Sequence, residues 1–151
     1  MKTLEELFET ISDNIKNEKE LIDLKNIVLS YNGDDWKEYI NFSESKYTRN
    51  LIFKNDYVEM LLICWNINQQ SGIHDHPKNG CILRILDGIL TEEVYRIDNN
   101  KPVLDTKNIC YKNNISYQMG ELGLHNIVNK NDKTISLHIY SPPNHKPKYY
   151  N

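Results

Sequence analysis

Apolar residues recur along the first part of the chain at the spacing of one helical face. Leu4, Leu7, Phe8, Ile11 and Ile15 form one such series, and Leu21, Leu24, Ile27 and Val28 form a second. Asn17 stands between them with Glu20 three residues on, the arrangement of a capping box for the second helix. A third short helix is expected to start near Asp34 or Asp35 and to carry Trp36, Tyr39 and Ile40 inward. Residues 1–45 therefore read as a helical lead-in.

From Tyr47 the period changes. Val58 to Ile67 (VEMLLICWNI) is a short apolar run bounded by polar residues, as a buried strand would be. Cys81–Leu86, Leu90–Ile97, Ile115–Met119 and Thr134–Tyr140 read as further strands. Asn55-Asp56, Asp87-Gly88, Asp98-Asn99-Asn100 and Asn131-Asp132 supply the turns between strands. Short strands without intervening helices predict a mainly β protein, a sandwich or a closed antiparallel barrel. At 151 residues the chain fits one domain, with a helical part over 1–45, a barrel over 46–143 and a tail over 144–151.

Composition narrows the function classes. The net charge of −3 gives no basic face for nucleic acid, and no apolar run is long enough for a membrane helix. The amphipathic, acidic N-terminus is unlike a secretory or mitochondrial signal. Cys64, Cys81 and Cys110 make an odd count without CxxC spacing, so a disulfide framework and a zinc ribbon are both disfavoured. A reduced, cytoplasmic monomer with buried thiols is the expectation.

The chemistry rests with the histidines. His74 and His76 stand at i and i+2, so on a strand their imidazoles share a face. His125 lies far along the chain, where barrel closure would bring it across. Three neutral imidazoles suit iron, zinc, copper or nickel, although an isolated HxH pair also occurs for structural reasons. Gly88 ends the strand that Cys81 opens, and Asn129 follows His125 at i+4. HxH, a glycine-ended strand and a later HxxxN form the ligand order of a cupin, a small β-barrel of the jelly-roll type. Asn68 replaces the usual first glycine of that pattern, and Cys81 takes the place of its acidic ligand.

In these departures the chain resembles the cysteine dioxygenases. Five segments carry the likeness in order: YTRNL at 47–51, LLICW at 61–65, IHDH at 73–76 with Cys81, GLHNIVN at 123–129 and SLHIYSPP at 136–143. The resemblance implies a cupin barrel holding Fe(2+) on His74, His76 and His125, with L-cysteine and O2 as reactants and cysteine sulfinic acid as product. It also implies a thioether between Cys81 and Tyr140, a cis bond at Ser141–Pro142, and Arg49 as receiver of the substrate carboxylate. Such a carboxylate fits the planar fork of a guanidinium. Three histidines without a carboxylate leave coordination space for a thiol, whose pKa the metal would lower.

Around that centre, Tyr47 reads either as a pocket wall or as core packing. Ser136, His138 and Tyr140 alternate along the last strand and share one face, a hydroxyl–imidazole–phenol chain that is expected to serve the site. No GxSxG elbow or acid partner accompanies it, which argues against a hydrolase triad. Trp65 reads as core, Cys64 as an inert buried thiol, and His145 as a solvent-exposed residue of the polar tail. Only eight residues follow Pro143, fewer than in that family, so a less complete cover over the pocket is expected. Rival readings are a dioxygenase for another small thiol such as 3-mercaptopropionate, a metal-binding cupin without turnover, and a hydrolytic zinc site.

Overall fold

Thr3 starts the first helix. Its backbone is extended and its hydroxyl accepts from the Glu6 N–H at 3.1 Å, satisfying one of the free donors of α1 (Leu4–Lys16). Leu4, Leu7, Phe8 and Ile11 lie buried on one face of α1, as their spacing predicts. The end of α1 departs from expectation. Asn17 closes α1 rather than capping the next helical turn: its backbone N–H and its Nδ2 both donate to the Asp13 carbonyl, at 3.0 and 2.9 Å. A carboxamide serves either helix end, so the Asn17–Glu20 spacing could not tell one from the other. The chain then turns through Glu18 at φ 65° into a 3₁₀ turn, Leu21–Leu24, and α2 (Lys25–Ser30), with no side-chain cap at Glu20. The third helical segment, Asp35–Tyr39, is also 3₁₀, and Ile40 beyond it is exposed rather than inward.

The computed structural model describes residues 1–151. Ten strands come after the helices: β1 (Thr48–Lys54), β2 (Glu59–Trp65), β3 (Ile73–His74), β4 (Gly80–Asp87), β5 (Leu90–Asp98), β6 (Lys101–Cys110), β7 (Ile115–Gln118), β8 (Leu124–Val128), β9 (Thr134–Ser141) and β10 (Tyr149–Tyr150). They form two five-stranded antiparallel sheets, ordered β1-β2-β9-β4-β7 and β10-β3-β8-β5-β6. This is the mainly β cupin architecture with an N-terminal helical lead-in.

Two cores explain the apolar run of β2. Met60, Leu62 and Cys64 face outward, together with Ile82, Leu137 and Ile139, into a cluster shared with the helices. Leu61, Ile63 and Trp65 face inward, joining Leu83 and Ile85 and meeting Leu90, Cys110 and Ile127 of the other sheet. A strand buried on both faces loses the polar half of its alternation. The parity survives in β9, where Ile135, Leu137 and Ile139 point to the helices. Ser136, His138 and Tyr140 are thereby left for the barrel interior.

The sequence reading did not include β1, β3, β6, β8 or β10, and β6 is the longest of these. β6 pairs along the whole of β5 from Leu90↔Cys110 to Asp98↔Lys101, yet it is exposed at most positions and carries no apolar alternation. The Asn99-Asn100 connection has φ of 50° and 63°, the doubly positive turn that a two-residue hairpin needs. The tail differs too: rather than trailing free, it returns as β10 and pairs with β3. The Ser141–Pro142 bond is cis. No helix is long and apolar enough to cross a membrane.

Gly88 closes the β4–β5 turn at φ +91°, and a Cβ there would meet the Thr134 Oγ1 at 2.3 Å. Thr134 is fully buried, and its hydroxyl accepts from the Ile89 N–H. Neither partner can give way without loss. Gly88→Ala is therefore expected to destabilise the fold by about 2–4 kcal/mol, read from the urea midpoint at unchanged slope.

Candidate metal centre

The short strand β3 and the strand β8 create the site between them. Their single register pair is His74↔His125, so two imidazoles lie directly opposite one another. His76 lies beyond the end of β3, and strand alternation does not place it. Its backbone N–H donates to the Gly120 carbonyl at 3.1 Å, and its Nδ1 lies 2.5 Å from the Gly123 carbonyl. The loop before β8 therefore holds His76, whose ring centroid sits 4.9 Å from that of His74 and 4.3 Å from that of His125.

The partners of the three rings fix their tautomers. His74 Nδ1 is 2.8 Å from the Gly72 carbonyl, and His76 Nδ1 meets the Gly123 carbonyl. A carbonyl only accepts, so each Nδ1 carries the proton. His125 Nδ1 lies 2.8 Å from Glu92 Oε2, with both side chains buried. Burial lowers all three rings, His76 to about 2; the neighbouring imidazoles add to this for His76 and His125, and the Arg49 charge does so for His74. They are neutral at ordinary pH, and their Nε2 lone pairs converge. His76 Nε2 and His125 Nε2 are 3.0 Å apart, and one ligand atom from each of the three rings lies within 4.8 Å of the others. Facing lone pairs in a buried place repel unless a cation lies between them. The donor set thus fits a metal ion of the imidazole-binding class.

Glu92 is a site residue that the sequence reading missed. It lies on β5 opposite Ile127, beside the Val94↔His125 pair, and accepts from Ser116 Oγ at 2.6 Å. Burial raises its carboxyl pKa, while the Ser116 hydrogen bond opposes that rise. The available signal was parity: Leu90, Glu92 and Val94 alternate, so the acid had to share a face with Leu90.

The chain predicted from β9 is present. Trp65 Nε1 donates to Ser136 Oγ at 2.9 Å, Ser136 Oγ is 2.7 Å from His138 Nε2, and His138 Nδ1 is 3.3 Å from the Tyr140 hydroxyl. Burial first, then the Arg49 charge, hold His138 neutral. Arg49 on β1 reaches the same phenol, its Nη1 3.4 Å from the Tyr140 oxygen and its guanidinium 5.5 Å from the ring centre. Cys81 stands directly opposite Tyr140 across the β4–β9 ladder, and burial pushes its thiol up to about 12. Tyr47 stacks on Trp65 at 4.7 Å and also lines the cavity. Trp65 is core as expected, and its ring reaches the cavity wall. Cys64 and Cys110 are buried and free.

A cavity of about 240 Å³ joins Arg49, Tyr140, His138, His74 and His125. His145 lines it too, which corrects the expectation of a solvent-exposed tail histidine. Its Nε2 is 2.9 Å from Asp75 Oδ1, and the Lys148 N–H donates to the same oxygen at 2.9 Å. Asp75, between the two clustered histidines, thus anchors the tail over the cavity.

Known proteins agree with this geometry. Among solved structures, the chain is similar to a protein from Thermus thermophilus, with a TM-score of 0.61 at 14% identity, covering 72% of this chain and 95% of that one. It is also similar to a cupin superfamily protein from Desulfitobacterium hafniense, with a TM-score of 0.53 at 17% identity, covering 68% and 83%. These likenesses concern the fold alone. Cysteine dioxygenase type 1 of Danio rerio is 32% identical over 152 residues, covering 95% of this chain and 73% of that protein. The human protein of the same name is 32% identical over 125 residues, covering 78% of this chain and 62% of its own length. The family model for cysteine dioxygenase type I matches residues 1–151, and with the three-histidine centre inside a cupin barrel it settles the assignment: this chain belongs to the cysteine dioxygenase type I family.

Proposed function

We propose that this protein oxidises L-cysteine with O2 to cysteine sulfinic acid at one ferrous iron held by His74, His76 and His125. The observation that carries the reading is a carboxylate-free cluster of three imidazoles, two of which, His74 and His125, line the cavity that also holds the Arg49 guanidinium. When bound, the iron supplies a centre at which a thiolate and O2 can be brought together and electrons exchanged. The odd number of unpaired cysteines accords with a cytoplasmic protein.

The protein's own groups do the positioning. Arg49 presents a planar fork to the substrate carboxylate inside a cavity small enough for one amino acid. Ser136 accepts from the Trp65 N–H, so its own O–H is free to donate to His138 Nε2. The proton of neutral His138 then lies on Nδ1 and points at the Tyr140 oxygen. That oxygen accepts from His138 and Arg49, which turns the phenol's own O–H toward the reactants. Tyr140 so held is a proton donor at a fixed place, with its phenol pKa raised by burial.

The register pair Cys81↔Tyr140 supports a thioether between the two side chains. The Cys81 S–H and a ring C–H of Tyr140 would be exchanged for one C–S bond, with two protons and two electrons passing to O2. The link would fix the phenol further and remove a buried thiol.

His74→Ala, His76→Ala and His125→Ala should each abolish iron retention, measured by metal analysis after desalting. Full iron in all three variants would disprove the site.

Arg49→Ala should keep its iron and raise the KM for cysteine roughly tenfold to a hundredfold, the loss of a charge-assisted pair. Arg49→Lys should recover only part, because a point charge does not reproduce the fork. An unchanged KM would remove Arg49 from the substrate site.

Protein incubated with iron, cysteine and air should gain a second species about 2 Da lighter and of altered gel mobility, as closure of a long loop requires. Cys81→Ser should not form it. A single unlinked mass after many turnovers would show Tyr140 working as a free phenol.

A further inference from the structure

The tail that closes over the cavity brings a phenol with it. Tyr149 pairs with His74 across β10 and β3, and the two ring centroids are 5.8 Å apart. Its ring also seats on Gly72, where a Cβ would stand 3.5 Å from Tyr149 Cδ1. Hydrogen bonds hold the tail at several points. The Asp75 N–H donates to the Lys148 carbonyl at 3.2 Å, and the Lys148 N–H and His145 Nε2 both meet Asp75 Oδ1 at 2.9 Å. Nearer its start, the Asn144 N–H donates to Glu59 Oε1 at 2.9 Å, and Lys54 Nζ donates to Asn144 Oδ1 at 2.8 Å. Yet Tyr149 itself is 57% exposed and lines the cavity, so a ligand can reach it.

Tyr47 and Arg49 line the same cavity as Tyr149, so all three present their polar ends to one enclosed space. Two phenol O–H groups and a guanidinium on one cavity are donors suited to a single acceptor with several lone pairs. A carboxylate is such an acceptor, and Arg49 supplies the charge that draws it there.

We propose that Tyr149, carried over the cavity by β10, is a substrate-binding residue that completes a three-donor cradle with Tyr47 and Arg49 for the carboxylate of the thiol substrate. This inference rests on the functional reading above and adds to it a determinant of specificity. The cradle exists only while β10 is paired, so substrate recognition depends on the closed tail. Thiols without a carboxylate forgo the cradle and gain nothing from Tyr149.

The test is binding rather than turnover. Iron-loaded, full-length protein is titrated without O2 by calorimetry, using L-cysteine and cysteamine, which differ in the carboxylate. Tyr149→Phe should weaken L-cysteine about tenfold and leave cysteamine within about twofold. Lys148→Pro removes the N–H bonded to Asp75 without altering a cavity residue, and it should weaken L-cysteine at least as much. Unchanged L-cysteine affinity in either variant, or equal losses for both thiols in Tyr149→Phe, overturns the inference while the functional reading stands. Failure of the unmodified protein to bind L-cysteine overturns the functional reading, and this inference with it.

Discussion

Everything at the centre of this molecule depends on three protons being pinned to three Nδ1 atoms. Gly72 and Gly123 offer only carbonyl oxygens, and Glu92 offers a carboxylate, so each imidazole must turn its lone pair inward. The cost of three converging lone pairs in a buried place is what makes the site a metal site rather than a cluster of polar residues. Those acceptors belong to the backbone before β3, the backbone before β8 and the strand β5. β3, β8 and β5 are neighbours in one sheet, so the ligand set exists once these distant segments have paired, and closure against the other sheet encloses it.

The same closure divides the labour of β9. One face of that strand supplies Leu137 and Ile139 to the core under the helices, while the other supplies Ser136, His138 and Tyr140 to the cavity. The helices therefore act on the site at a distance. By covering the outer face of β2, β4 and β9 they hold rigid the strands that bear Cys81, Trp65 and Tyr140. A hydrogen-bonded chain that begins at the Trp65 indole and ends at a phenol needs such rigidity, because each bond fixes the donor direction of the next.

The tail completes the enclosure. Its anchor, Asp75, lies between two of the clustered histidines, so the residues that build the centre also hold its cover. The tail adds as a strand to β3 rather than packing as a separate element. Main-chain pairing with an existing edge gives a short segment a defined place without a core of its own.

Much of this was legible in the chain itself. Helical spacing located the face of α1, apolar runs located β2, β4 and β9, and the parity of β9 put Ser136, His138 and Tyr140 on one side. These readings succeed because local periodicity is imposed by backbone geometry, which any buried face must obey. HxH with a distant histidine pointed to the cluster of His74, His76 and His125, since few other residue sets offer neutral nitrogen donors. The strand β6 was not legible, because its exposed edge leaves no apolar alternation to detect. Nor was the role of Glu92, a charged residue whose burial depends on β8 lying beside β5. Asn17 had two helix ends available, and only packing chose between them. His145 and Tyr149 sit in a polar, proline-bearing segment whose composition suggests solvent. Their place over the cavity was decided by tertiary structure alone, because the hydrogen-bonding edge they join and the Asp75 carboxylate they meet lie some seventy residues earlier in the chain.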